Sequence, residues 1–499
     1  MIIAHDLGTT GNKASLHRTT GELLNSVTVS YETSYGPHGE AEQDPARWYA
    51  AVVEATRALV ATVDARQVSG VVMSGQMMGA VLLDHDHQPV RPALIWADTR
   101  STAQAERLID AYGQDRAYPM LGHQLNPTYS LSKIMWVAEH EPAVYERVRH
   151  FCLAKDFVVH QLTGRLVTDR SDASSTNAYD QQSGRWSQEL ITLAGIDPAI
   201  FPEIVDSTAV VGTLTTSAAQ ELGLDRSVQV VIGGGDGPIA AAGVGVTSAD
   251  SPAYAYLGSS SWVSLASAEP IHDPQRRSMT FDHVVPGHYV PTATMVAGGA
   301  SVEWAAEVFD PDGGSTDRVA TLLDGVDRAR AAEDGLYFLP HLMGERSPYW
   351  NPMASGGFLG VQRQHDRPQL LRAVLEGVAF NLRTNLQAFT DAGHRIDQVD
   401  AIGGGAASDA WLQIMADIWG ITVRRRSIVA DGNSLGAAVT GLVGLGHLDF
   451  SAAAGLSRVT AEFTPDHGRH EDYAVRHAIF LDAYRALEGW SAGRHGDRR

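Results

Sequence analysis

Val230-Val231-Ile232-Gly233-Gly234-Gly235-Asp236-Gly237-Pro238 is a short apolar run that stops at three glycines and places one carboxylate in the turn. The small-residue segment Ile239 to Val246 follows it. An apolar run of this length bounded by glycines reads as a buried strand. The glycines let backbone come close to another segment or to a ligand. An acid in that turn is costly to bury unless it is paired or used. On this stretch alone two readings of Asp236 stay open: the N-cap of a strand-to-helix turn, or a functional carboxylate.

The second half of the chain repeats the pattern. Met295-Val296-Ala297-Gly298-Gly299-Ala300-Ser301, Ala401-Ile402-Gly403-Gly404-Gly405-Ala406-Ala407-Ser408 and Asp431-Gly432-Asn433-Ser434-Leu435-Gly436 each lead into a helical pattern. Strand, glycine turn, helix is a way to aim helix N-termini and free N–H groups at a nucleotide. Near the start, Asp6-Leu7-Gly8-Thr9-Thr10-Gly11 joins the apolar strand Met1 to His5 to a second strand, Lys13 to His17. Its N–H groups and hydroxyls can fold around a phosphate, although it lacks the spacing and Lys-Ser/Thr pair of a Walker A loop. Leu23 to Val29 then alternates, completing a hairpin or meander. Ala253 to Leu257, Gly258-Ser259-Ser260-Ser261 and Trp262 to Ala266 echo that opening, which suggests an internal repeat. The polar, turn-rich stretch Thr247-Ser248-Ala249-Asp250-Ser251-Pro252 lies between the copies. Domains are therefore expected at 1–247 and 248–490, with a polar tail, 491–499, that frays. A nucleotide site between two related domains is the economical reading.

The bulk numbers agree. A chain of 499 residues is too long for one ordinary core. Its 44% hydrophobic and 19% charged residues are those of a soluble globular protein. A formal net charge of -20 argues against nucleic acid or an anionic membrane as the main partner, because both need a basic surface. The single cysteine, Cys152, excludes an intramolecular disulfide and fits a reducing compartment. The N-terminus shows neither a basic n-region nor a long apolar h-region, so a cytoplasmic location is expected.

Other segments fill in the frame. Gln43-Asp44-Pro45 starts a helix with Asp44 as N-cap, and Trp48, Val52, Ala55, Leu59 and Val63 recur at helical spacing. Val68 to Met73 reads as a strand ending in Ser74-Gly75-Gln76-Met77-Met78-Gly79. Val81 to Asp84 and Val90 to Trp96 are expected to continue the sheet. His85-Asp86-His87 reads as a hairpin turn rather than a metal site, with no other ligands near in sequence. Thr168 to Thr176, dense in Asp, Ser and Thr, is a solvated loop or a helix entry lining a polar pocket; sequence does not choose. Gln369 to Phe389 is a long amphipathic core helix.

These pieces resemble the FGGY carbohydrate kinases, and within them the xylulokinase branch. Gly356-Gly357-Phe358-Leu359-Gly360-Val361, then Gln369-Leu370 and Ala373-Val374-Leu375-Glu376-Gly377, looks like the family's second signature with its spacing intact. Lys133-Ile134-Met135-Trp136-Val137-Ala138-Glu139-His140 looks like the core of the first. Gly344-Glu345-Arg346-Ser347-Pro348 is also similar. The resemblance covers nearly the whole chain. It implies an α/β fold of two ribonuclease-H-like (actin-like ATPase) domains flanking a deep catalytic cleft. It also implies ATP and Mg²⁺, a small sugar or polyol as acceptor, and a homodimer. Asp6 and Asp236 would hold Mg²⁺, with Thr9 and Thr10 near the phosphates. Gly258 and Ser259 would face the phosphates from the other side. Gly299, Glu303, Gly404, Gly405 and Asp409 would flank the nucleotide. Gln76, Met77, Met78, Trp96 and Asp236 would line the sugar pocket.

The chemistry suits those residue types. Phosphoryl transfer to a hydroxyl needs in-line positioning, charge neutralisation and a carboxylate to accept the proton, for which Asp236 is the expected base. Two positions depart from the xylulokinase pattern: Met78 stands where His is usual, and Gly237 where Asn is usual. D-xylulose, giving D-xylulose 5-phosphate, is the first expectation for the acceptor. Ribulose, a tetrulose, erythritol or another polyol is the alternative. Two rivals belong to other classes. A dinucleotide dehydrogenase reading of Gly233 to Gly243 is disfavoured by its mid-chain place and by Asp236 inside the loop. A non-catalytic actin-like nucleotide switch is disfavoured by the carboxylates at Asp6 and Asp236.

Overall fold

The computed structural model describes residues 1–309, 326, 329–427 and 432–496; Asp431, quoted in the third glycine turn, lies outside them. Two mixed sheets are built on one plan. In the first half, β1 (Ile2–Leu7), β2 (Gly11–His17) and β3 (Leu23–Ser30) form an antiparallel meander. β4 (Gly70–Gly75) runs parallel to β1, β6 (Gln229–Gly235) runs parallel to β4, and β5 (Val210–Thr213) closes the far edge antiparallel. The sheet order is β5-β6-β4-β1-β2-β3.

The second half repeats this. β7 (Ala253–Leu257) and β8 (Ser261–Ser264) pair antiparallel, and β9 (Met279–Asp282) and β10 (Tyr289–Met295) extend that side. β11 (Gln398–Ile402) and β12 (Thr422–Arg426) add in parallel, and β13 (Val459–Phe463) closes antiparallel. The order is β9-β10-β8-β7-β11-β12-β13. Apart from the extra edge strand β9, each strand of one sheet has a counterpart in the other with the same direction, so the repeat suggested by the two glycine-hydroxyl turns is a repeat of topology.

Helices cover both sheets. α1 (Pro45–Val60) starts as read, with the Asp44 carboxylate accepting from Ala46 N–H, and buries Trp48, Val52, Ala55 and Leu59 against the first sheet. α2 (Ala154–Thr163) packs on β6, and α3 (Asp236–Gly243) follows β6 without a break. In the second half, α4 (Gly299–Phe309), α5 (Arg367–Asp391) and α6 (Asp409–Trp419) enclose the larger core with Phe338, Phe380 and Trp411. α5 contains the second family signature: a methyl group at Gly377 would sit 2.2 Å from the Phe338 carbonyl oxygen, so glycine there lets helix and strand touch.

The halves interlock through α3 and α7 (Gly432–Gly444). Gly243 Cβ would lie 1.9 Å from Gly432 O, and Gly436 Cβ 1.9 Å from Ile239 O. No side chain fits at either crossing, so the backbones themselves are in contact. α7 also lies on β1, β4 and β6, and Ala437, Ala438 and Leu442 share one buried cluster with Ile2, Val72 and Val231.

Three expectations change. Val81–Leu83 and Ala93–Leu94 do not continue the main sheet; they pair instead with His150–Cys152 and Ala41–Gln43 in small separate sheets. Strand-like alternation specifies pairing but not the partner. The tail does not fray from residue 491: α8 (His467–Gly496) runs on to Gly496, the last described residue, and Ser491 is buried. Asp236 is not an N-cap. Gly235 takes that place, and Asp236 is the first residue of α3.

Candidate active site

Gly233 shapes the site. It carries φ +70°, and β6 slips register against β4 between Val231 and Gly234. A methyl group at Gly233 would fall 1.6 Å from Met73 O, so the bulge admits only glycine. The bulge ends the strand, starts α3, and places the Asp236 side chain in a cavity of about 200 Å³ between the two halves. One Asp236 carboxylate oxygen accepts from Gly237 N–H at 2.8 Å. Burial, and then the charge of Asp6, push the Asp236 carboxyl up to about 7.

Asp6 stands at the end of β1. Burial pushes its carboxyl up, and this is opposed by hydrogen bonds from Ser74 (3.0 Å) and Asn433 and by the charge of Lys13. Lys13 is Asp6's register partner on β2. Two half-buried carboxylates thus stand close enough for the charge of one to act on the other. Among the described residues no group of three metal-ligating side chains converges anywhere. A cation held by two carboxylates and substrate phosphates is the usual arrangement for Mg²⁺, and the Asp6–Asp236 pair fits it.

Of the residues expected at the sugar, Met77, Met78, Trp96 and Asp236 line the cavity. Gln76 does not. It is buried behind the wall, its amide donating to Gln43 Oε1 at 2.7 Å, and Gln43 in turn donates to Thr9 O at 2.6 Å. Gln43 also accepts from Trp48 Nε1 at 2.9 Å, so this chain of amides ties the Thr9 turn to α1. Trp96 is tied to the Thr9 turn. Its indole N–H donates to Thr9 Oγ1 at 2.8 Å. Two residues on, the Asp98 carbonyl accepts from the buried Lys133 ammonium (2.9 Å), which also donates to the carbonyls of Pro127 (2.8 Å) and Thr128 (2.5 Å). The first signature thus fixes the loop that follows Trp96. Thr10 is exposed, and its carbonyl accepts from Tyr31 N–H at 3.2 Å.

On the second half, the β7–β8 turn docks on the start of α4. Gly299 N–H donates to Gly258 O (2.7 Å) and Ala300 N–H to Ser259 O (3.0 Å). Gly405 packs beside Leu257, so Gly258, Ser259, Gly299 and the Gly404–Gly405 turn form one rim of small residues. Glu303 is exposed on α4. Asp409 is also exposed, and its carboxylate is paired with Arg425 at 2.8 Å.

Sequence reasoning missed Tyr254, Trp262, Met279, Phe281, Arg346 and Asn433, all of which line the cavity. Asn433 lay in a turn already singled out. The others come from strand faces and a loop of the second half, and no local pattern marks which face meets the first half. The Arg346 guanidinium makes no hydrogen bond or ion pair with a described residue; it lies 5.7 Å from the Trp96 ring centroid. Burial pulls its pKa down. His85-Asp86-His87 is a turn, but His87 stacks on His150, with ring centroids 4.4 Å apart, and tilts against His160 at 4.5 Å. No helix among the described residues is long and apolar enough to cross a membrane.

Two halves of repeated ribonuclease-H-like topology, closing on a cavity with an acid just after a strand end, define the actin-like ATPase class of α/β proteins. Comparison with known proteins narrows the class. The chain belongs to the FGGY family of carbohydrate kinases: the family's N-terminal domain matches residues 1–243 and its C-terminal domain residues 253–445. It is 31% identical over 497 residues to a xylulose kinase of Staphylococcus epidermidis, covering 99% of this chain and 98% of that one. It is 28% identical over 502 residues to a gluconokinase of Bacillus subtilis, covering 98% and 96%. The ligand-bound xylulose kinase from Lactobacillus acidophilus superposes with a TM-score of 0.92 at 26% identity, over 98% of both chains. The protein is a sugar kinase.

Proposed function

We propose that this kinase transfers the γ-phosphoryl group of ATP to a hydroxyl of a short ketose, with D-xylulose first, giving D-xylulose 5-phosphate. The observation that carries the reading is the placement of the half-buried Asp236 on the wall of the cavity between the halves. In this reading residues 1–247 hold the sugar and residues 248–490 the nucleotide. Asp236 accepts the proton of the attacking hydroxyl. A carboxyl held near 7 is basic enough to take that proton and is still ionised in part at neutral pH. Trp96, Met77 and Met78 orient the sugar. Thr9 and Thr10 lie along the phosphates, with the Gly258-Ser259 turn on the other side. Gly299, Glu303, Gly404, Gly405 and Asp409 flank the nucleotide. Asp6 and Asp236 would hold Mg²⁺, which supplies neutralisation of phosphate charge when bound. Closure of the halves excludes water, which would otherwise hydrolyse ATP. A cytoplasmic location fits the single buried cysteine.

One observation favours a second acceptor. Arg346 brings a positive charge to the cavity, and among the described residues no carboxylate is ion-paired with its guanidinium. Glu345, its neighbour in sequence, is turned away to Val296 N–H, His341 and Asn381. A desolvated guanidinium that is not ion-paired is relieved by an anion, which an acid sugar such as gluconate would bring.

ADP release with Mg-ATP across ketopentoses, tetruloses, polyols and gluconate, with Asp236→Ala alongside, tests the proposal. Fast turnover on D-xylulose that the variant loses is the expected result. Turnover on gluconate alone favours the acid-sugar reading. No sugar raising the rate above the ATP-only blank overturns both.

A further inference from the structure

The Asp-, Ser- and Thr-rich run that sequence left open between a solvated loop and a helix entry lining a pocket is a helix entry, with Asp169 capping the single helical turn Arg170–Ala173, but it does not line the cavity. It is a buried turn lying behind the cavity. Ser171, Ser174 and Ser175 are each at most 1% exposed. Each hydroxyl donates inside its own turn: Ser171 to Asp169 Oδ2 (2.5 Å), Ser174 to Ser171 O (2.7 Å), Ser175 to Asp172 O (2.8 Å). Each hydroxyl oxygen then accepts from a backbone N–H outside the turn, and the three donors belong to three walls of the cavity. Ser171 accepts from Gly235, the residue before Asp236, at 3.0 Å. Ser175 accepts from Met78 at 3.2 Å. Ser174 accepts from Asp282 at 3.0 Å, at the end of β9, whose Met279 and Phe281 face the cavity from the other half.

The turn is itself anchored. Asp169 caps it, accepting from Ser171 N–H (2.9 Å) and from Ser207 Oγ (2.6 Å). The Lys155 ammonium is 2.8 Å from Asp169, 2.6 Å from Asp156 and 3.1 Å from Asp172, with all four side chains fully buried. Lys155 is the one cation in this buried cluster, so displacing its ammonium would leave the carboxylates without a counter-charge. The approach is tight: a methyl group on Gly234 would lie 2.7 Å from Ser171 Oγ. Met78 gains most from its bond, since it holds φ +67° in the left-handed region, which a side chain of its kind rarely adopts.

We propose that the Asp169–Ser175 turn, clamped by Lys155, is the positioning element of phosphoryl transfer. Ser171 aims Asp236 through Gly235, and Ser175 holds the sugar wall through Met78. Ser174 ties both to β9 of the second half. These are positioning residues, none of which lines the cavity. The inference rests on Asp236 as the base and on Met78 as a sugar contact.

The test compares Ser171→Ala with Ser175→Ala, and adds Ser171→Thr, which keeps the hydroxyl. With the best acceptor sugar, Ser171→Ala should lower kcat at least tenfold with sugar KM within twofold of wild type. Ser175→Ala should raise sugar KM several-fold with kcat nearly kept. Ser171→Thr should recover most of the lost kcat. Amide hydrogen exchange, which needs no substrate, gives the independent readout. Exchange over 233–237 should rise in Ser171→Ala alone, and over 76–80 in Ser175→Ala alone. Identical exchange and kinetic changes in both variants, or none in either, overturn the proposal. A wild type inactive on every sugar, with the expected exchange split, would leave the positioning intact and remove only the substrate reading.

Discussion

The Trp96 indole N–H donates to Thr9 Oγ1 at 2.8 Å, so a residue on the proposed sugar wall is bonded to the turn proposed to meet the phosphates. Arg346 of the second half lies over the same ring. One side chain therefore links the sugar wall, the phosphate turn and the facing half. Trp96→Phe keeps the ring and removes the bond. A hydrogen bond of this kind contributes about 1 kcal/mol, so kcat/KM should fall roughly tenfold at most. KM for ATP should rise along with KM for sugar. Steady-state kinetics varying each substrate in turn would show it, and an effect on sugar alone would contradict the link.

Asp236→Ala should lower kcat by about 10²–10⁴-fold, the usual contribution of a general base. ATP binding, measured by calorimetry, should survive, because the glycine rim of the second half is untouched. Loss of ATP binding in equal measure would mean that the carboxylate serves the nucleotide site first.

Gly436→Ala places a methyl group 1.9 Å from the Ile239 carbonyl oxygen, where backbone rather than a yielding side chain must move. Overpacking of this kind costs about 1–3 kcal/mol. A lower Tm should accompany reduced turnover, since α3, which begins at Asp236, is the helix displaced. An unchanged Tm would show that the crossing of α3 and α7 has slack.

Met78→His restores a polar group to the sugar wall. A gained or lost polar contact can change discrimination between sugars by about tenfold or more, so the ranking of acceptors should change while the ATP-only rate stays the same. Met78→Gly should not lose stability despite the lost side chain, because φ +67° costs a non-glycine residue roughly 1–2 kcal/mol. Thermal unfolding of the two variants separates these effects.

His477 lies far along α8, bonded to Thr384 Oγ1 at 2.9 Å and packed on Phe380. Burial, with help from the nearby charge of Arg383, pulls its pKa down to about 4. The unfolded chain therefore takes up the proton first. The stability that neutral His477 contributes is fully present above the ordinary value of about 6.5 and is lost as pH falls toward 4. His477→Gln should lower Tm most at neutral pH, and its deficit should shrink between pH 6.5 and 4. A deficit constant across that range would show that the ring is not held neutral by burial.

Much of this protein could be read before any fold was known. The strand-glycine-acid stretch, the paired hydroxyl turns and the capped start of α1 are local: apolar runs, glycines and caps act over a few residues, and chain chemistry alone specifies them. Met77, Met78, Trp96 and Asp236, which line the cavity, were singled out together only through the family resemblance, although each lies at the end of such an element. The partners of the short strands Val81–Leu83 and Ala93–Leu94 were not, because alternation does not say which edge is free.

Contacts between distant segments left no local trace. Arg346 and Phe281 reach the cavity only because the halves close on each other. The Asp169–Ser175 turn lies far in sequence from both Gly235 and Met78, and its hydroxyls look the same in a list of residues whether they face water or three backbone N–H groups. Local chemistry thus determined the elements and put one acid, Asp236, in the glycine turn that starts α3. Packing of one half on the other decided the shape of the cavity and which groups hold it, because those depend on long-range contacts that no short stretch encodes.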